Sequence, residues 1–319
     1  MLRASAIALS IALMPVTAFA EDAFDKAERT MKAFEDVFGV TKGKRRNHTK
    51  GFCIIGSFEP QDAAILKYTN SPIFTQTSSV NGRVSHKGGN NKAADNKFAD
   101  YGLAFEITTP DDDTHIIGMN TEHFFPVSTP EAFSKLMQAK AIGKEAVKAF
   151  AANSPELKAH KAYHSARDKT LRPYEGATYN SINTFYLVDD AGKRTAIRWS
   201  FVPSNDQKVV LDPSENFFFE NMQANLDAGE VAWDMIITIA NPDDEILNPA
   251  ILWTGEHTQI KAAKLIVNSI STEAEGECDP LNYDPLILTD GFEPSEDPML
   301  EARSAIYAIG VSKRLGEKE

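Results

Sequence analysis

Apolar residues recur at helical spacing near the start of the chain (Phe24, Ala27, Met31, Phe34, Val37), which predicts a helix over residues 21–38. Short β-branched and aromatic runs then predict strands over 50–58, 72–78, 101–107 and 114–120. The acidic turn Asp111-Asp112-Asp113 joins the last two as a hairpin, and the Gly-, Asn- and Lys-rich stretch 82–97 reads as a loop. Thr129 before Pro130 is a helix start, with helical periodicity continuing to about Asp168. A second strand group follows over 183–188, 195–202, 233–240 and 264–271, with a helix over 215–226 and a hairpin turn at Asp189-Asp190-Ala191-Gly192. Residues 272–298 are acidic and Pro-rich and read as a long irregular loop before a last helix over 299–310. Two strand groups separated by a helical insert and closed by a helix predict an α+β chain, an antiparallel barrel with flanking helices.

The extreme N-terminus has a different pattern. Met1-Leu2-Arg3 precedes an apolar run from Ala4 to Val16 and the ending Ala18-Phe19-Ala20. A basic start, a short apolar segment and an A-x-A ending predict a secretory signal peptide over 1–20. The run is short for a membrane span, which needs roughly 20 apolar residues. The remainder, 21–319, reads as a single domain, exported and periplasmic. Formal net charge is -12, and losing Arg3 with the leader makes it -13. That charge argues against nucleic-acid or anionic membrane partners. Export permits a bridge between the two cysteines, Cys53 and Cys278. Two cysteines make no disulfide framework, however, and the apolar run around Cys53 suits a buried free thiol, which is the expectation here.

Three segments hold candidate chemistry. The first is Arg45-Arg46-Asn47-His48-Thr49-Lys50-Gly51, followed by Phe52-Cys53-Ile54-Ile55. The second is Met119-Asn120-Thr121 leading to Phe124-Phe125-Pro126-Val127. The third is Asp297-Pro298-Met299 through Arg303 to Tyr307, closing with Arg314-Leu315-Gly316. They resemble, in this order, the distal histidine segment, the distal asparagine stretch and the proximal tyrosine helix of the haem catalase superfamily. The chain is short and ends soon after the third segment, which resembles the small catalase-related peroxidases.

The resemblance implies a catalase-like barrel of about eight strands whose interior holds haem b. Tyr307 matches the axial ligand of the haem iron, an anionic oxygen donor that suits ferric iron. A phenol needs help to ionise near neutral pH, and Arg303, four residues earlier on a helix, shares its face. His48 matches the distal acid–base group, since peroxide cleavage moves a proton between the two oxygens. Asn120 would orient the peroxide, Phe124 or Phe125 would line the distal wall, and Arg45 matches an arginine that pairs with a haem propionate. Ser78 matches the hydroxyl that supports the histidine.

Three departures qualify the match. Where the family reads Arg-Phe-Ser, this chain offers Gln76-Thr77-Ser78, so one propionate arginine is missing. After Tyr307 the usual Pro-Asp-Thr becomes Ala308-Ile309-Gly310, and Ser312 stands where an arginine is expected. Asn47 replaces a small apolar residue and makes the channel more polar. His160 and His164, spaced i, i+4, suit a zinc pair, but with no third ligand evident they read as a solvated helix face.

The implied activity is a haem-dependent peroxidase reducing hydrogen or organic peroxides through a ferryl intermediate, with an unidentified small reducing donor, as a monomer or homodimer. A true catalase and an exported haem carrier are the alternatives. Carriage needs no acid–base pair, so His48 with Asn120 favours an enzyme.

Overall fold

The computed structural model describes residues 17–318, with side chains from residue 24 onward. The leader expected over 1–20 lies outside the described residues through position 16, and positions 17–20 enter the first helix, α1 (Thr17–Phe38). No described helix is long and apolar enough to cross a membrane.

Four strands follow α1: β1 (Gly51–Pro60), β2 (Ser78–His86), β3 (Tyr101–Thr108) and β4 (Thr114–Asn120). Helices α2 (Pro130–Ile142), α3 (Lys144–Ala152) and α4 (Pro155–Ala166) come next. The second half holds β5 (Tyr179–Asn180), β6 (Phe185–Val188), β7 (Arg194–Pro203), α5 (Phe218–Ala228), β8 (Val231–Ile239) and β9 (Gln259–Ser271). A short β10 (Phe292–Pro294) and α6 (Pro298–Gly316) close the chain. Thr129 and Asp297 cap α2 and α6, each accepting a backbone N–H, with proline in the first turn.

All the strand pairings are antiparallel. Strands β1-β2-β3-β4-β5-β7-β8-β9 close on themselves through the β1–β9 pairing, an eight-stranded barrel. Strands β6 and β10 extend the sheet beyond β7. Inward positions alternate along the strands. Val84, Leu103, Phe105, Phe201, Trp233 and Leu265 are fully or almost fully buried and fill the barrel. The interior is therefore a packed hydrocarbon core. The expectation of a haem inside the barrel is corrected: the large cavity lies outside the wall, between the outer face of β2-β3-β4 and helices α1, α2 and α6. Ala27, Met31 and Ile309 hold α1 to α6, and Phe34 with Met137 holds α1 to α2, forming the cavity's roof.

Two further expectations are corrected. Residues 72–74 form a 3-10 turn, and the strand expected over 72–78 starts only at Ser78 and runs to His86, into the start of the stretch read as a loop. Cys53 is not a free thiol, because it is bridged to Cys278 with Cα atoms 5.5 Å apart. Its outward-facing position in β1 brings it to the long segment that precedes α6, which a strand of inward apolar residues alone did not suggest.

Candidate active site

Register builds the floor. Ser85 of β2 pairs with Gly102 of β3, which pairs with Asn120 of β4; one row along, Arg83 pairs with Ala104 and Ala104 with Gly118. All six face the cavity of about 1010 Å³. Glycine and alanine at the centre of this patch leave a flat floor bordered by polar side chains.

His48 stands at the edge of that floor on the loop between α1 and β1. Its backbone takes a positive φ of 57°, a conformation costly for a side chain. Asn47 holds it there: Asn47 Oδ1 accepts from His48 N at 3.0 Å and from Gly88 N at 2.8 Å. Asn47 thus pins the loop, and it also lines the cavity. The imidazole lies over Gly102, where a Cβ would come within 2.5 Å of Nδ1. Only glycine leaves room for the ring.

Nδ1 of His48 sits 3.1 Å from Ser85 Oγ. Ser85 Oγ donates to the Gly102 carbonyl at 3.4 Å, so it accepts from Nδ1–H and leaves Nε2 bare as a base. Burial, with Arg83 and Lys87 nearby, pulls the His48 pKa down to about 3. The ring is therefore neutral over the physiological range. Ser78, expected to be this hydroxyl, lies at the other end of β2 opposite Phe58, bonded at 3.5 Å to the Gln76 carbonyl. It is outside the site, and the Arg-x-Ser pattern sought at 76–78 stands seven residues on as Arg83-Val84-Ser85.

Asn120 Oδ1 accepts from Glu122 N at 2.8 Å, which leaves the Nδ2 donor uncommitted among the described residues. Phe125 lines the cavity, whereas Phe124 is buried against His160 and Tyr163. On the opposite side α6 presents Tyr307 to the same cavity. The Arg303 guanidinium lies 5.9 Å from the Tyr307 ring centre. It donates to Asn183 Oδ1 at 2.6 Å and to the Gly118 carbonyl at 3.3 Å. Asn183 in turn donates to Asp297, the α6 cap, at 2.6 Å. The cation beside the phenol is thus fixed to both the floor and its own helix start.

One end of the cavity is cationic. Arg45 donates to the Leu281 carbonyl at 3.0 Å, Arg314 to the same carbonyl at 3.1 Å, and Arg83 to the Thr49 carbonyl at 3.1 Å. Burial and the proximity of Arg83 and Arg314 lower the Arg45 pKa to about 9. Lys44 and Lys318 join them, and Glu273 and Asp279 are the carboxylates facing this group. Five cations against two carboxylates leave an excess of positive charge, and Arg314 Nε is buried with no partner among the described residues. Arg83 thus brings to this end a guanidinium that Gln76 lacks, and the end is more cationic than Gln76 suggested. A flat apolar group carrying two carboxylates fits this floor and this end, which is the shape and charge of haem with its propionates.

The mouth of the cavity holds a second network that sequence reasoning missed. Glu122, 3% exposed, pairs with Lys87 and accepts from His160 at 3.1 Å. Arg167 holds Asp100 at 2.6 Å, and His164 lies 3.7 Å from that carboxylate. His160 and His164 line the cavity, so they are not a solvated face. Asp100, Glu122 and His164 come within 4.8 Å of one another, yet Lys87 and Arg167 already neutralise the carboxylates. The group reads as a charge network.

The family model described as Catalase matches residues 42–319. A "Catalase-related peroxidase" of Synechococcus elongatus is 33% identical over 90% of this chain and 88% of its own length. Another "Catalase-related peroxidase", of Mycolicibacterium paratuberculosis, is 26% identical over 91% of this chain and 95% of its own. A "Catalase" of Schizosaccharomyces pombe is 22% identical over 84% of this chain and 57% of its own.

Proposed function

This chain belongs to the catalase family and is an oxidoreductase acting on peroxide, and we propose that it is an exported haem b peroxidase. The observation that carries the reading is one cavity with a serine-supported His48 on one side, Tyr307 with Arg303 on the other, and an arginine cluster at the end. Tyr307 would hold the iron, and Arg45, Arg83 and Arg314 the propionates. Haem, when bound, supplies the electrons that split the O–O bond. His48 Nε2 accepts the proton of an incoming peroxide and returns it to the leaving oxygen. Asn120 Nδ2 donates to the peroxide and orients it. Ser85 keeps the imidazole in the required tautomer, and Arg303, fixed by Asn183 and the Gly118 carbonyl, lies beside the Tyr307 ring.

A peroxidase rather than a catalase is supported by the relatives named peroxidase and by a wide cavity whose mouth is polar. Export is supported by the leader and by the Cys53–Cys278 bridge, a bond that persists in oxidising compartments. Purified protein reconstituted with haemin is expected to oxidise guaiacol steadily, with oxygen release well below that of a true catalase. His48→Ala should keep haem but slow peroxide consumption by roughly 100- to 10,000-fold. Tyr307→Phe should bind haem poorly or lose the parental absorption spectrum. Rapid oxygen evolution that guaiacol leaves unchanged would instead establish the catalase reading, and a parental rate in His48→Ala would remove His48 from the mechanism.

A further inference from the structure

Beside the cavity mouth, α2, α3 and α4 enclose a groove of about 510 Å³. Val147 and Ala151 give it an apolar base, and Lys140, Lys144, Lys148 and Lys161 surround them. None of these four lysines is in an ion pair among the described residues, although the chain has 45 acidic residues against 33 basic ones. Lys140 lines both this groove and the main cavity, so the two adjoin at that residue. Burial and the nearby charges of Lys87 and Lys161 lower the Lys140 pKa, with Glu122 opposing them only in part. On a surface that otherwise repels anions, such a cluster concentrates them locally.

We propose that this groove is the docking site for the reducing donor, and that the donor is a small organic anion with an apolar body. This rests on the peroxidase reading above. The lysines bind the carboxylate or sulfonate, Val147 and Ala151 pack against the apolar body, and Lys140 leads it to the cavity mouth. Each peroxide takes two electrons and two protons to become two waters. Two donor molecules therefore give up one electron each, and the protons come from solvent or from the donor's own hydroxyl.

The test uses the haem-loaded enzyme and two donors, the disulfonate dye ABTS and neutral guaiacol. The triple variant Lys144→Gln/Lys148→Gln/Lys161→Gln removes groove charges that do not line the main cavity. It is expected to raise KM for ABTS about tenfold, with guaiacol changed less than twofold. Raising salt from low to physiological strength should do the same to the parent, since exposed charges are screened. Calorimetric titration of ABTS into the resting enzyme without peroxide should show one site in the parent and none in the triple variant. Equal effects on both donors, or ABTS binding that survives the triple variant, would overturn the proposal. Binding that the variant abolishes, in a parent that oxidises neither donor, would leave the anion site standing as a site and defeat the peroxidase reading and the donor role together.

Discussion

Ser85 and Ser78 lie on one strand but differ in what their hydroxyls touch, and only Ser85 reaches His48. Both hydroxyls lie on β2, and seven residues separate a hydroxyl 3.1 Å from the imidazole from one bonded to the Gln76 carbonyl. A single hydrogen bond is worth about 0.5–1.5 kcal/mol, which corresponds to roughly twofold to tenfold in rate. Ser85→Ala is therefore expected to slow peroxide consumption several-fold, with haem content unchanged. Ser78→Ala should fall within twofold of the parent in the same stopped-flow assay. Equal losses in the two variants would show that the imidazole is held by its seat on Gly102 alone. The residues legible from sequence were those with distinctive chemistry in a distinctive setting. His48 and Tyr307 stand in long ordered motifs, whereas Ser85 and Arg83 lie in a stretch whose polar residues mask a strand.

Elements show why. Strand β2 reads SSVNGRVSH, where only Val80 and Val84 carry the apolar alternation and Asn, Gly, Arg and Ser fill the rest. Those polar residues have low strand propensity in isolation. Arg83 and Ser85 occur there because the outer face of this strand is the floor of the site, so function overrides the local signal. Strands β1, β3 and β4 keep their inward hydrocarbon, and the expected boundaries lie within two residues of the observed ones. The two-residue β5 has too little pattern to read at all, yet it closes the barrel between β4 and β7. Helix α5 docks through a group that sequence periodicity does not reveal. Glu175, fully buried, accepts at 2.7 Å from both Asn221 and Asn225 of α5, and burial raises its pKa to about 7. The folded state thus keeps a proton that the unfolded chain releases near the ordinary carboxylate value. This contribution to stability is complete below about pH 4.5 and is lost as pH rises through about 7, to the extent of about 3 kcal/mol. Glu175→Gln is expected to remove that decline: denaturant unfolding at pH 8 should find the variant more stable than the parent, with the gap narrowing towards pH 5. A constant difference between the two across this range would assign the docking of α5 to its apolar face alone.

At the scale of the whole molecule, the Cys53–Cys278 bridge connects the barrel to the segment that frames the arginine cluster. Cys53 pairs in register with Arg83, and Cys278 precedes Asp279 and Leu281, whose carbonyls accept from Arg45. The Leu281 carbonyl also accepts from Arg314 of α6. One covalent bond thus fastens the outer barrel wall to the loop whose Leu281 carbonyl holds both Arg45 and Arg314. Neither cysteine's local sequence announces this, because the pairing follows from the three-dimensional path of a segment with little regular structure. The bridged residues are 225 apart in sequence. In the chain-entropy account, closing a loop of that length stabilises the fold by about 5 kcal/mol. The double variant Cys53→Ala/Cys278→Ala, or the parent under reductant, is therefore expected to melt about 10 °C lower. Stability alone would be a general effect, so the site has its own readout: the rate at which haem passes from the loaded protein to apomyoglobin. If the bridge holds the loop carbonyls in place for Arg45 and Arg314, haem should leave the variant several-fold faster at a temperature where both proteins are fully folded. A lower melting temperature with unchanged haem transfer would mean that Glu273, which bonds Arg83 at 2.6 Å, and the α6 contacts hold the arginine cluster without the covalent tie.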